Sequence, residues 1–333
     1  MNNKNSGSFG KLLADNSAFV GLLIIILIGI AINMDAFFTL NNFANVGRQS
    51  AIRGLMACGM TLVIISGSID LSVSTSFAFC SYLALYFSQY SAALAFLVPL
   101  GVGVVLGIIN TILICRMRIP AMVATISTQM GVQGILLMLT RGDTFKPKQV
   151  NTALQAFGRF SLGEYLNTYL IVFAVIFIVI GFLMKNIASF RNIYAVGSNE
   201  EAARLMGVNV FNTMLLAHII CGMLAALAGI LLAARTQAAY PLAGTSYEMY
   251  AIAAAVLGGT YLTGGRGRLL GTFVGAWILG FLSNIFNMQK MLNPLWEQVI
   301  TGLILLIVVF FQSLNSMGFF AGKRAKVQQP AKA

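Results

Sequence analysis

The sequence predicts an all-α polytopic membrane protein. Three observations carry that prediction: 58% hydrophobic residues against 9% charged, a mean hydropathy of +0.85, and uncharged apolar runs recurring along the whole chain of 333 residues. So few polar side chains cannot cover a soluble globule of this size. Crossing about 30 Å of hydrocarbon takes roughly 20 helical residues, and runs such as Leu71–Cys115, Ile119–Thr140, Leu205–Ala234 and Gln298–Gly322 meet that length. With no water to satisfy the backbone, helices are the default. A transmembrane barrel would show segments of about ten residues with alternating polarity, whereas these runs are apolar all round.

The elements follow in order, about ten helices with a range of eight to ten. Ala18–Met34, between Asp15 and Asp35, lacks a following small-x-small cleavage site and reads as a retained helix over 18–34. Further helices are expected over 50–66, 71–89, 92–115, 119–139, 165–184, 212–234, 247–258, 269–289 and 297–317. The segment 247–258 is too short to span unless it is re-entrant or tilted. Charge sets the orientation. With both termini in the cytoplasm, thirteen of the 21 basic residues fall inside, and eight, including Arg48, Arg53 and Arg235, fall outside. Ten helices would make 1–5 and 6–10 start from opposite sides, which permits an inverted repeat of five-helix halves. The chain then divides into a cytoplasmic N-terminus (1–17), one transmembrane domain (18–317) with a cytoplasmic loop at 185–211, and a basic tail (318–333).

Composition and motifs exclude several classes. One histidine and no G-x-S-x-G, H-E-x-x-H or CxxC leave no catalytic residues and no metal site. The four cysteines lie singly in apolar segments and read as packing residues, as does His218. The net charge of +12 is scattered over loops, which fits the positive-inside bias and not nucleic-acid binding. No G-x-x-x-x-G-K-[ST] occurs, so the chain has no nucleotide-binding loop of that kind. The tail suits contact with anionic lipid.

Three stretches break the apolar pattern. In the first, ISGSIDLSVSTSF, Asp70 lies among Ser66, Gly67 and Ser72. A carboxylate at membrane depth costs roughly 2.5–3.5 kcal/mol on insertion scales and needs partners. Asp70 reads either as the cap of a helix starting near Leu71 or as a contact for a permeating polar solute. The second is a polar island, RNIYAVGSNEEAARLMGVNV, from Arg191 to Val210, suited to being gripped from outside the membrane. The third, LGGTYLTGGRGRLLGTFVGA, holds seven glycines in twenty residues, Gly258, Gly259, Gly264 and Gly265 among them. It suits a broken or re-entrant segment, or a close helix contact through the G-x-x-x-G pair Gly271 and Gly275. Asn110, Gln129, Gln133, Asn284, Asn287 and Glu248 are polar groups within apolar spans, placed either along a solute path or as bridges between helices.

Together these stretches resemble the permease subunit of bacterial ABC importers for ribose, arabinose, xylose, galactose and related solutes, over roughly residues 15–317. The family pattern SGGIDLSVGS is matched here at Ser66, Gly67, Ile69, Asp70, Leu71, Ser72 and Val73, with Ser68 and Ser74 in place of glycines. The pattern IYAIGGNEEAARLSGI is matched at Ala195, Gly197, Asn199, Glu200, Glu201, Ala202, Ala203, Arg204, Leu205 and Gly207, with departures at Ser198 and Met206. The third, VLGGTSLxGGxGxxxGTxxGA, is matched at ten positions, with Tyr261 in place of a serine.

The resemblance implies a multi-pass protein of the bacterial cytoplasmic (inner) membrane that moves a small neutral solute, a monosaccharide above all, by alternating access. It implies no cofactor in this chain, with ATP and Mg held by a cytoplasmic ATP-binding subunit. A periplasmic solute-binding protein and a second permease copy, identical or related, complete the implied assembly. The island becomes the loop that couples to the ATPase, through Gly197, Asn199, Glu200, Glu201, Ala202, Ala203, Arg204 and Gly207. Its residues agree: Asn199 can cap a helix from Glu200, the two glutamates complement its dipole, Gly207 can end it, and the two alanines permit close approach. The rival is a secondary transporter driven by an ion gradient, using Asp70, Glu248 and Glu297, and it has no need of a docking helix.

Overall fold

The computed structural model describes residues 17–163, 165–288 and 296–316. The expected cytoplasmic N-terminus, apart from its last residue, and the basic tail lie outside the described residues. Helices make up most of the described structure; its one sheet is the two-residue hairpin β1 (Ser161–Leu162) and β2 (Leu166–Asn167).

The helices are α1 (Ser17–Ile32), α2 (Met34–Phe37), α3 (Leu40–Ile65), α4 (Val73–Ser88), α5 (Ala92–Thr111), α6 (Ala121–Thr140) and α7 (Thr152–Arg159). After the hairpin come α8 (Thr168–Asn186), α9 (Ala188–Ser198), α10 (Glu200–Leu205), α11 (Val210–Thr236), α12 (Tyr247–Leu257), α13 (Leu269–Met288) and α14 (Trp296–Ser316). Six helical stretches are long and apolar enough to cross a membrane, and three shorter ones, Ala18–Ile32, Val73–Ser88 and Tyr247–Leu257, are also apolar. The chain is therefore an all-α polytopic membrane protein.

Polar residues at the ends of the apolar runs start the helices. Asn167, Asn199 and Asn209 each accept a backbone N–H from the residue three along, Leu170, Ala202 and Asn212. Ser91 Oγ accepts the N–H of Ala93, two residues along. Two boundaries depart from the hydropathy reading. Helix α3 begins at Leu40 and not at residue 50, because Thr39 Oγ1 caps Asn42 and the polar first turns belong to the helix. Arg48 and Arg53 therefore sit inside α3 and not in an outer loop, and Arg235 belongs to the last turn of α11. In the island, the stretch before Asn199 is helical as α9.

The core forms around α11, which packs against α3, α4 and α5. Gly103 on α5 and Gly222 on α11 face each other so closely that a Cβ on either would overlap the other's carbonyl oxygen. The G-x-x-x-G pair of α13 works the same way, with Gly271 against the Gly258 carbonyl and Gly275 against that of Ala254. On the side opposite the island, Phe145 and Ala239 exchange backbone hydrogen bonds of 2.8 and 2.9 Å, tying the loop after α6 to the loop after α11.

Candidate coupling and translocation site

The three sequence breaks meet in space. Helix α3 ends at Ile65, and its terminal carbonyls need donors. The Ile65 carbonyl accepts the Gly265 N–H at 2.8 Å, so the third motif caps the helix that leads into the first. The chain turns at Gly67 (φ 85°) and, across the junction, at Gly264 (φ 82°) and Gly265 (φ 70°), conformations that favour glycine. Gly197, near the end of α9, fits between them. A Cβ there would overlap the Ile65 carbonyl oxygen and come within 2.7 Å of the Gly265 nitrogen. Tyr194, one turn earlier, donates to the Gly267 carbonyl at 3.2 Å, and burial pushes its phenol pKa up, which keeps the donated proton in place. The island is thus seated, backbone on backbone, against the ends of both broken segments.

Beyond this junction the island turns outward. Asn199 Oδ1 accepts the Ala202 N–H at 2.9 Å to start α10, Glu200 pairs with Arg204 at 2.8 Å, and Gly207 (φ 82°) ends the turn. Ala203 faces inward, packed with Val196, Val210 and Met214, so its close approach is to the permease's own core. Glu201 and Arg204 are exposed. The exposed apolar residues here are Leu205 at 85% and Met206 at 72%, more than the short helix can cover by itself.

Asp70 lies deep, 2% exposed, at the start of the polar network leading away from the junction. Its Oδ1 accepts the Ser72 N–H at 3.0 Å, the Ser72 hydroxyl at 2.6 Å and the Asn110 amide at 3.1 Å. Asn110 also donates to Ser72 Oγ at 2.9 Å. These donors offset the burial cost of the carboxylate. The helix it precedes starts at Val73, two residues from the expected Leu71, with Ser72 in the cap position, so Asp70 organises the turn just before the helix. Ser66 Oγ donates back to the Val63 carbonyl at 2.7 Å. Gln129 reaches Ser74 Oγ at 3.1 Å from α6, and Gln133 the Pro241 carbonyl at 3.2 Å.

Other candidates fall elsewhere. Asn284 exchanges side-chain hydrogen bonds of 2.8 and 3.1 Å with Asn42, clamping α13 to α3 away from this network. Gly258 packs on Gly271, and Gly259 (φ 86°) turns the chain after α12. His218 joins Ser68 Oγ at 3.3 Å and the Met214 carbonyl at 3.0 Å, a helix bridge. Among the described residues, Glu248 Oε2 is buried without a hydrogen-bond partner, in a residue that is half-buried overall. No group of His, Cys, Asp or Glu suited to hold a metal occurs among the described residues.

Sequence reasoning missed a second cluster, built on Arg53, Tyr250, Ser283 and Glu297. Charge counting places Arg53 outside, yet it stands within the helix expected over 50–66, and that conflict is the signal.

Comparison with known proteins decides the family. Residues 42–309 match the family model described as a branched-chain amino acid transport system permease component. The ribose import permease protein of Escherichia coli (strain K12) is 35% identical over 301 residues, covering 89% of this chain and 93% of its own. The chain belongs to the ABC-importer permease family. The permease is also 38% identical over 301 residues to the ribose import permease protein of Bacillus subtilis (strain 168), covering 90% of this chain and 92% of the relative. With the L-arabinose transport system permease protein of E. coli (strain K12) it shares 32% over 321 residues, covering 92% and 93%. No solved structure matches it. The permease is a multi-pass protein of the bacterial cytoplasmic membrane.

Proposed function

We infer that this permease moves a small neutral monosaccharide into the cell by alternating access, driven by an ATP-binding subunit that docks on α10. The observation that carries this reading is the seating of Gly197 between Ile65 and Gly265, because a force applied to the island reaches both broken segments without an intervening flexible linker. Leu205 and Met206 supply the apolar anchor for the docking subunit, with Glu201 and Arg204 beside them. ATP and Mg reside on that partner. A helix of six residues is marginal alone, which fits an element held by a partner.

In this reading ten helices cross the membrane with both termini in the cytoplasm, over a transmembrane domain at 18–317. Residues 185–211 form the coupling loop. The tied outer loops around Phe145 and Ala239 receive a solute-binding protein, and a second permease copy completes the assembly. Asp70, Ser72, Asn110 and Gln129 line the solute path near the junction. The names of the sugar-importing relatives and the preponderance of amides and hydroxyls in the network support a neutral polyol. Against ion coupling stands Asp70, whose Oδ1 already accepts three donors.

The test is the double substitution Gly207→Pro with Glu201→Lys in the complex purified from its native membrane. The expected result is loss of solute-stimulated ATP hydrolysis by at least tenfold. Unchanged stimulation would remove the island as the coupling element, and absence of a stoichiometric ATP-binding subunit from the unmodified preparation would remove the ATP-driven reading.

A further inference from the structure

The Arg53 cluster is not explained by coupling. Arg53 is the fourteenth of the 26 residues of α3, about 20 Å from one end of the helix and about 18 Å from the other at 1.5 Å per residue. Its Nη1 donates to Ser283 Oγ at 2.7 Å and to Glu297 Oε1 at 3.1 Å. Tyr250 donates to the same carboxylate oxygen at 2.6 Å, and Ser283 also reaches it. The guanidinium lies 4.3 Å from the ring centroid of Tyr250 and 5.1 Å from that of Tyr247. The pair is not sealed: the Arg53 side chain is 20% exposed and that of Glu297 12%.

We propose that Arg53, Tyr247, Tyr250, Ser283 and Glu297 form a polyol-binding subsite within the membrane, through which the solute passes before it reaches the Asp70 network. A sugar hydroxyl both donates and accepts, so it can exchange into a carboxylate–guanidinium pair without leaving either charge unpaired. Its C–H face suits the tyrosine rings. The opposite charges cancel locally, which favours a neutral solute over an ion. Packed side chains link the cluster to the Asp70 network. Tyr247 packs on Phe77 of α4 with ring centroids 5.4 Å apart, and Ser74, one turn before Phe77, accepts from Gln129 beside the Asp70 network.

A structural reading competes with this one, since the pair also ties α14 to α3. Replacing a buried ion pair by apolar residues of similar size is often tolerated when its role is structural. The proposal rests on the sugar-import reading above, so the unmodified complex is the first arm. Reconstituted with its ATP-binding subunit and solute-binding protein, it is offered radiolabelled D-ribose, L-arabinose and D-galactose. Accumulation of none of them would overturn the sugar reading and the subsite with it. With the sugar it does accumulate, the readout is sugar taken up per ATP hydrolysed, in the Arg53→Met/Glu297→Leu double variant and in Tyr247→Leu, which leaves the ion pair in place. The expected result is a fall in that ratio of at least tenfold in the double variant and about threefold in Tyr247→Leu. A ratio unchanged in Tyr247→Leu and in any double variant that assembles, whether or not both rates fall in parallel, would show the cluster to be structural and overturn the proposal.

Discussion

The glycine junction and the Asp70 network sit only a few residues apart in the chain, yet they are built from opposite materials. At the junction, Gly67, Gly197, Gly264 and Gly265 remove side chains so that three backbones touch. At Asp70, the side chains do the contacting, with hydroxyls and an amide gathered on one carboxylate oxygen. Backbone contact is stiff, because close-packed main chains have two arrangements and little between them. Side-chain hydrogen bonds can be exchanged for those of a solute. In the proposed mechanism, transmission and recognition are therefore separated within one short stretch, so damage to each should look different.

The largest effect is expected at the junction. Gly197→Ala introduces a methyl that overlaps a backbone oxygen, and no flexible side chain is there to yield. Overpacking a tight site costs about 1–3 kcal/mol, and here the backbone itself must shift. Solute-stimulated ATP hydrolysis should fall at least tenfold. Stimulation retained within a factor of two would break the comparison, since the junction would then be compliant.

A smaller effect is expected in the network. Asp70→Ala leaves the Ser72 N–H, the Ser72 hydroxyl and the Asn110 amide without their shared acceptor, although it also removes the cost of burying a carboxylate. With about 1–3 kcal/mol for an unsatisfied buried group, a net loss of about 2 kcal/mol is expected in reversible denaturation of the detergent-solubilised permease. Asp70→Asn, which keeps an acceptor oxygen, should lose about half as much. Equal losses for the two variants would show that charge, and not hydrogen bonding, holds the turn.

Much of this was legible in the sequence. Apolar runs carried the fold, and the cap Asn199 stands where polarity changes. Hydropathy failed over 40–49, because a helix buried in a bundle can carry Asn42 and Arg48 once neighbouring helices surround it. The motif residues of the island and the two breaks were identifiable singly. Their meeting was not, since contacts between Gly67, Gly197 and Gly264 join positions far apart in the chain and glycine leaves no periodic signal. Burial of Ala203 was hidden for a similar reason: a six-residue helix is too short to reveal which face it buries.

The central claim is that the island and the third motif move as one body. Spin labels at Arg191→Cys and Thr263→Cys, both exposed positions on either side of the junction, report it directly by pulsed distance measurement in the assembled complex with and without nucleotide. The account predicts a distance that stays the same in both states while the helices around it rearrange. A distance that changes on nucleotide binding would contradict it, because the island would then slide over the glycines instead of carrying them.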